Sequence, residues 1–475
     1  MGSLHFTRRR WSALALIVTA QFMVILDVAI VNVALPSIKS DLGFSEANLP
    51  WVISAYAILF GGTLLLGGRL ADLLGRRRLF VAGLLLFAAS SLLAGLSWSA
   101  GSLIAFRAVQ GLGGALLAPA ALSLLMTTFA EGRERNVALG IYGAASGSGA
   151  AAGVLAGGLL TSYLGWSWIF FVNVPVGIAA ALLAPVLLRE SRADLGHRHF
   201  DLAGATTVTA GLMLLVYALT RATTDGWGAT STLALLAGSA VLLVAFGVIE
   251  RMSRWPLLPL RIFRSRTVSV ANGAIGIIGA VAFSEFFLLT LYLQDVLHYS
   301  AMQSGVAFVA FALTVVVTSN VAQLVVARFG VRGTLTAGLL LSALSVALLA
   351  GLPADAHYFW DLFPGFVLGG AGMGLTLVPV TIAGLTGIEP ADAGVASGLI
   401  NTSRQIGGAV GIAASSAIAA SAARNSTFGH GLSTALWVLD GLLLVGALGV
   451  FALIRPAAAP QPRVDEELIP LKEAA

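Results

Sequence analysis

Gly75-Arg76-Arg77-Arg78-Leu79-Phe80-Val81-Ala82-Gly83-Leu84-Leu85-Leu86 is answered 255 residues later by Gly330-Val331-Arg332-Gly333-Thr334-Leu335-Thr336-Ala337-Gly338-Leu339-Leu340-Leu341. Each copy starts on a glycine, carries arginine in a short turn and opens into an apolar run. A second correspondence, at an offset of 260, sets Phe106, Gly114 and Pro119 against Phe366, Gly374 and Pro379. Two matches at nearly one offset describe halves that repeat in the same order. Parallel repeats related by an axis along the membrane normal are a transporter architecture, with the substrate site between the halves near mid-membrane.

The rest of the chain supplies that membrane context. Of its 475 residues 58% are hydrophobic and 10% charged, against about 25% charged in soluble domains. Apolar runs of about 20 residues, enough to cross a roughly 30 Å hydrocarbon core, recur from Trp11 to Phe451. They predict spans at 12–35, 50–68, 80–97, 103–126, 137–160, 168–187, 203–220, 231–249, 268–293, 304–326, 334–351, 362–384, 394–421 and 432–453. The expectation is an all-α membrane protein of fourteen transmembrane helices, six plus two plus six. Residues 1–190 form the first half, 191–266 the inserted pair with its linkers, 267–455 the second half and 456–475 a polar cytoplasmic tail. With the amino terminus inside, 22 of the 27 Lys and Arg fall in cytoplasmic segments, as loop positive charge directs, and both termini are cytoplasmic. Lys39, Arg221 and Arg424 fall outside; Arg107 and Arg404 lie within the membrane. The apolar stretch after Arg8 to Arg10 exceeds the roughly 7 to 15 residues of a signal-peptide core and reads as an uncleaved first helix.

Several classes of function drop out. Without cysteine there is no thiolate nucleophile and no Cys-based metal site. The six histidines sit in loops or termini and make no metal set, and no serine stands in a hydrolase context. Gly143, Gly147, Gly149, Gly153 and Gly157 lie inside an apolar helix, where such spacing serves close helix packing rather than a phosphate. No Walker lysine follows any glycine run, and Lys39 and Lys472 are the only lysines. The reading is therefore not an enzyme, no cofactor, no metal and no ATP hydrolysis. The net charge of +5 reports topology, so no nucleic-acid partner is expected.

Charges inside the membrane are costly and default to function. They are Asp27, Arg107, Glu285, Arg404 and Asp440. At about 1.5 Å rise per residue, Asp27, Arg107 and Glu285 fall in the outer third, while Arg404 and Asp440 lie deeper and close enough in depth to form an intramembrane ion pair. Three carboxyls face two guanidiniums that stay charged, so one carboxyl lacks a partner and keeps its proton until water reaches it. That is the behaviour of a proton carrier. Asp27 is the first choice, with Arg107 stabilising it once the proton leaves; the alternative is a fixed Asp27 to Arg107 ion pair tying helices together. Glu285, among Phe283, Phe286 and Phe287 and with Tyr292 on its own face, suits a lipophilic cation, a second proton, or helix packing. Gln110, one turn beyond Arg107, and the patch Asn401, Arg404 and Gln405 serve either a substrate pocket or interhelix bonding. The repeat mates of Arg107 and Gln110 are Val367 and Gly370, so the polar machinery is unequally shared.

Leu26-Asp27-Val28-Ala29-Ile30-Val31-Asn32-Val33-Ala34-Leu35-Pro36 and Gly68-Arg69-Leu70-Ala71-Asp72-Leu73-Leu74-Gly75-Arg76-Arg77-Arg78 resemble two signatures of the major facilitator superfamily. The chain is similar in particular to its fourteen-span drug:proton antiporters. The likeness continues through Arg107-Ala108-Val109-Gln110-Gly111, Trp168-Ile169-Phe170-Phe171-Val172-Asn173-Val174-Pro175 and Pro256-Leu257-Leu258-Pro259-Leu260-Arg261-Ile262-Phe263. It implies a coupling role for Asp27, and a cytoplasmic gating motif of Gly68, Asp72, Gly75, Arg76 and Arg77 whose Asp72 accepts from a helix N-terminus of the other half. Arginines that only fix topology are the plainer reading. In span five the family's Gly-Pro becomes Gly153-Val154, which keeps a proton-coupled symporter, or an exporter of one metabolite, as an alternative to antiport.

The expected function is a proton-driven exporter of amphiphilic cationic or neutral small molecules, including antibiotics. It works as a monomer in the lipid bilayer of a bacterial inner or plasma membrane. A non-transporting sensor or scaffold is the rival from another class, and the intramembrane charges argue against it.

Overall fold

The computed structural model describes residues 2–129, 133–191, 201–254, 256–258, 260–388, 393–423 and 427–454; among them all regular structure is helical. The first part comprises α1 (Gly2–Leu42), α2 (Trp51–Leu74), α3 (Arg76–Gly95), α4 (Ala100–Thr128), α5 (Arg133–Tyr163) and a short α6 (Trp168–Phe171) that leads through Val172 into α7 (Asn173–Leu187). The middle pair is α8 (Leu202–Asp225) and α9 (Thr230–Met252). The last part is α10 (Arg266–Leu291), α11 (Ala301–Ala350), α12 (Phe363–Leu385), α13 (Ala393–Ala423) and α14 (Phe428–Leu453).

Among the described residues twelve helical segments are long and apolar enough to cross a membrane. The difference from fourteen arises at two places. Of α5, 31 residues long, only the apolar stretch Ala151–Tyr163 is fully described. Helix α11 counts once although it runs 50 residues and is interrupted at Gly330, whose φ of 73° is non-helical. The first helix also outlasts its predicted end, continuing through Pro36 to Leu42.

The repeat seen in the sequence is a repeat of backbone. Gly75, with φ 118°, separates α2 from α3, and Gly330 makes the equivalent break inside α11. Both conformations belong to glycine. Beyond each break the same crossing is built. A Cβ at Gly83 would stand 2.8 Å from the Leu117 nitrogen of α4, and one at Gly338 would stand 2.9 Å from the Gly372 carbonyl oxygen of α12. Pro119 and Pro379 lie inside α4 and α12. Capping boxes start α4 at Ser99 and α11 at Ser300, each serine receiving the N3 amide while the N3 side chain returns to its own, which satisfies two otherwise orphan donors.

Glycines also set the approach of α5 to α1. A Cβ at Gly149, Gly153 or Gly157 would lie 3.2, 2.7 or 2.8 Å from the carbonyl oxygens of Phe22, Leu26 and Ile30. These three positions pack helix on helix, as the spacing predicts; the surroundings of Gly143 and Gly147 lie outside the described residues.

The first and last parts meet along two further seams. Thr402 and Ser54 donate to the carbonyls of Gly61 and Ala409, at 3.1 and 3.3 Å, stitching α13 to α2. At the end of α5, Met302 donates its amide to Ser162 Oγ at 3.1 Å, and Gly305 sits against the Val154 carbonyl. Nearby, Gln294 donates to the Val33 carbonyl at 2.9 Å and Lys39 lies 3.7 Å from Asp295. Helix α8 packs its Leu212 and Val216 with Ala55 of α2 and Ala409 of α13, and α9 rests on α8 through a Ser239 to Gly211 hydrogen bond of 2.8 Å.

Candidate proton and substrate site

Helices α1, α3, α4 and α7 converge on Asp27, whose exposure is 0%. Arg107 Nη1 donates to Asp27 Oδ2 at 2.6 Å. Asp27 Oδ1 accepts twice, from Gln110 Nε2 at 2.8 Å and from Asn173 Nδ2 at 2.7 Å. Gln110 donates as well to Ser91 Oγ at 2.7 Å and accepts from Arg107 Nη1 at 2.5 Å. Arg107 has further support, for its Nε donates to the Val52 carbonyl at 3.0 Å, and the Tyr56 and Phe170 rings lie 4.5 and 5.7 Å from its guanidinium carbon. The helical repeat explains the convergence: Arg107 and Gln110 stand three residues apart, on one face of α4. Ionised partners make such bonds short and strong, and a buried carboxylate needs them all.

The structure brings Asp27 and Arg107 together in the ion-paired form, and it places Gln110, read from the sequence as a pocket or interhelix residue, on the Asp27 carboxylate. Ser91, Asn173 and Tyr56 complete the group. Sequence reasoning places Asn173 inside a motif yet assigns it no role, because a search for intramembrane charge passes over neutral amides and hydroxyls. The signal available was a lone asparagine at the start of an apolar helix.

Glu285 lies elsewhere, on α10. It is buried, and its Oε1 meets no hydrogen-bond partner. Beside it Phe286 packs its ring 4.8 Å from Phe308 and 5.1 Å from Phe311 of α11. Tyr292 caps α10 in α conformation, its amide donating to the Leu288 carbonyl, and opens the π-helical turn Tyr292–Val296. Its hydroxyl donates to the Pro353 carbonyl, and it supplies no hydrogen bond to Glu285 Oε1.

Arg404 and Asp440 do not form the expected pair: among the described residues no ion pair joins them. The helix faces account for this. Helix α13 lies between α2 and α10, meeting the first through Thr402 and Gln405 and the second through Ser403, which donates to Asn272 Oδ1 at 3.1 Å, and Gly407. Asp440 instead shares with Ser433, which donates to the Ala350 carbonyl, the side of α14 that meets α11 beyond Gly330. Gln405 is buried against Gly61, and Asn401 is exposed.

At the turn between α2 and α3 the chain binds itself. The amide of Arg77 donates to Glu190 Oε1 at 3.1 Å, and the guanidiniums of Arg77 and Arg78 stand 3.7 and 3.8 Å from Glu190 Oε2. The Arg76 amide donates to the Ser191 carbonyl at 3.0 Å, and Gly68 approaches Pro119. Sequence reasoning misses Glu190 because it stands 113 residues from Arg77. The side chain of Asp72 lies outside the described residues.

Residues 17–412 match the family model described as Major Facilitator Superfamily, and the chain belongs to that family. It is 41% identical to a puromycin resistance protein of Streptomyces alboniger, over 91% of this chain and 86% of that one. A cephamycin export protein of Amycolatopsis lactamdurans is 42% identical, covering 87% and 85%. A lincomycin resistance protein of Streptomyces lincolnensis is 34% identical, covering 97% and 95%. In fold the chain is similar to the peptide transporter POT in complex with sulfate, with TM-score 0.66 and 19% identity over 93% of this chain and 95% of that one. It is likewise similar to the nucleoside transporter NupG, with TM-score 0.63 and 12% identity over 92% and 98%. The protein is thus a small-molecule transporter, a multi-pass protein of a bacterial plasma membrane, and not an enzyme.

Proposed function

We propose that this chain is a fourteen-span drug:proton antiporter that expels amphiphilic cationic or neutral molecules, antibiotics among them, by alternating access. The activities for which its relatives are named, resistance to puromycin and lincomycin and export of cephamycin, support the substrate class. The break at Gly330 supports counting α11 as two spans, since 50 residues at about 1.5 Å each far exceed one bilayer. Residues 1–190 and 267–455 are the rocking halves, 191–266 the inserted pair and 456–475 the tail, with both termini cytoplasmic and one chain sufficient.

The observation that carries the reading is the manner in which Asp27 is held. It is wholly buried and bound by three donors, yet Arg107 keeps the Val52 carbonyl, Gln110 Oε1 and two aromatic rings should Asp27 take up a proton. Losing one member of a buried ion pair normally leaves the other bare at a cost of about 3–5 kcal/mol. Here the guanidinium has a second set of partners, so the pair is built to be discharged and recharged. Asp27 loads its proton from outside and releases it inward as the halves rock. Glu285, with an unpartnered oxygen on the helix whose next residue, Phe286, packs with Phe308 and Phe311, receives the substrate cation or a second proton. Gly68, Asp72, Gly75, Arg76 and Arg77 gate the cytoplasmic side. The membrane potential contributes about 2.3 kcal/mol per charge per 100 mV.

The test is collapse of a pH gradient in everted vesicles on addition of lipophilic cations. Proton release from the acidified lumen, driven by substrate and abolished in Asp27→Asn, is the expected result. Release that persists in the variant moves the carrier role to Glu285. Uptake of a metabolite with no response to any drug replaces antiport by the symport that Val154, standing at the family's proline position, leaves open.

A further inference from the structure

Asn173 opens α7 and is 1% exposed. Its Nδ2 donates to Asp27 Oδ1 at 2.7 Å, whereas its own Oδ1 is buried and meets no donor. The orientation of this amide is dictated by chemistry, because an ionised carboxylate only accepts. A buried carbonyl oxygen without a donor is uncommon and calls for a reason.

Protonation of Asp27 supplies that reason. A protonated Oδ1 is a donor, and both groups that face it, Gln110 Nε2 and Asn173 Nδ2, are donors too. With the proton on Oδ1, Oδ2 goes on accepting from Arg107, and one of the two amides turns to accept from Oδ1. Gln110 is locked: its Oε1 accepts from Arg107 and its Nε2 holds Ser91 as well, so reversing it would set its NH2 against a guanidinium. Asn173 is free to turn, since its Oδ1 gives up nothing. We propose that Asn173 is the positioning residue that holds Asp27 in both protonation states, donating through Nδ2 to the carboxylate and, after its amide rotates, accepting through Oδ1 from the carboxylic acid. The orphan oxygen is then the acceptor kept vacant for the proton, and α1 stays tied to α7 throughout the cycle.

Among the described residues no second carboxylate hydrogen-bonds within this group, and the other buried cation near it, Arg404 of α13, reaches the hub through Tyr56 rather than through Asp27. Among the described residues, α4 contributes Arg107, α2 contributes Tyr56 beside it, α3 contributes Ser91, and α5 turns Gly153 and Gly157 toward this stretch of α1. The Tyr56 ring lies 4.5 Å from the Arg107 guanidinium carbon, and among the described residues no hydrogen bond joins its hydroxyl to Asp27.

The inference rests on the reading of Asp27 as proton carrier, and the experiment separates the two. Infrared difference spectra between acid and neutral pH are recorded on the full chain in liposomes. The carboxylic acid C=O band of Asp27 is identified by its disappearance in Asp27→Asn. In Asn173→Leu this band moves to higher wavenumber, as a carboxyl deprived of its acceptor does, and in Asn173→Thr, whose hydroxyl accepts and donates, it returns toward the wild-type position. A band at the wild-type position in Asn173→Leu overturns the inference and leaves the carrier reading intact. Absence of any band dependent on Asp27 overturns both. Where Asn173→Leu fails to reach the membrane, wild-type protein labelled with 13C at the asparagine side-chain carbonyl serves instead. A pH-dependent shift of an asparagine carbonyl, lost in Asp27→Asn, is expected, and its absence overturns the inference.

Discussion

Asp27 binds donors from α4 and α7 with one carboxylate, and each of those bonds is a separate experimental handle. Arg107→Leu strands a buried carboxylate, and breaking a buried pair costs about 3–5 kcal/mol, so thermal unfolding in detergent drops sharply. Asp27→Asn keeps shape and most hydrogen bonds, unfolds near the wild-type temperature and loses substrate-driven proton release. The contrast between these two variants separates the structural from the coupling share of the same ion pair. For Glu285→Gln the expectation is selective: efflux of lipophilic cations falls at least tenfold while efflux of neutral substrates persists, read by fluorescent-dye retention. Equal loss of both classes assigns Glu285 to the proton instead.

At the scale of elements, side chains that are absent matter most. Gly153 lies where a Cβ would meet the Leu26 carbonyl oxygen at 2.7 Å, and Leu26 immediately precedes Asp27. Gly153→Val pushes α5 from α1 and costs about 1–3 kcal/mol by overpacking, seen as a lowered unfolding temperature together with weaker coupling. Gly75→Ala meets two penalties, a φ of 118° and Glu190 Oε1 at 2.7 Å, together about 1–3 kcal/mol of strain. The α5 seam was legible from the four-residue spacing of small residues, and the fold from the offset between Gly75 and Gly330, because both are periodic signals within the chain. The partners Ser91, Asn173 and Glu190 were not. They are neutral or distant in sequence, and only the folded chain decides which face meets which. Arg404 and Asp440 mark the same limit from the other side, since shared depth in the membrane says nothing about facing.

For the whole molecule the seam at the end of α5 offers a lock. Ser162 Oγ accepts from the Met302 amide at 3.1 Å between α5 and α11, which makes these two neighbouring positions the pair to crosslink. The natural chain has no cysteine, so Ser162→Cys with Met302→Cys reports cleanly. Oxidation produces a crosslinked species of altered mobility and stops transport, and reductant restores it; undiminished transport after complete crosslinking removes this seam from the moving interface.

The hydrogen-bonded group around Asp27 gathers side chains from Asp27 to Asn173, all in the first half, whereas the position matching Gln110 is Gly370, where a Cβ would stand only 2.5 Å from the Phe311 carbonyl oxygen. Where one half carries a polar hub, its twin carries bare backbone contact. Under the proposed function, the primary proton carrier and the aromatic-lined carboxyl are thereby placed on separate stretches of one chain. On that reading, substitutions around Glu285 and Phe286 change which molecules are carried while leaving the Asp27 hydrogen bonds in place.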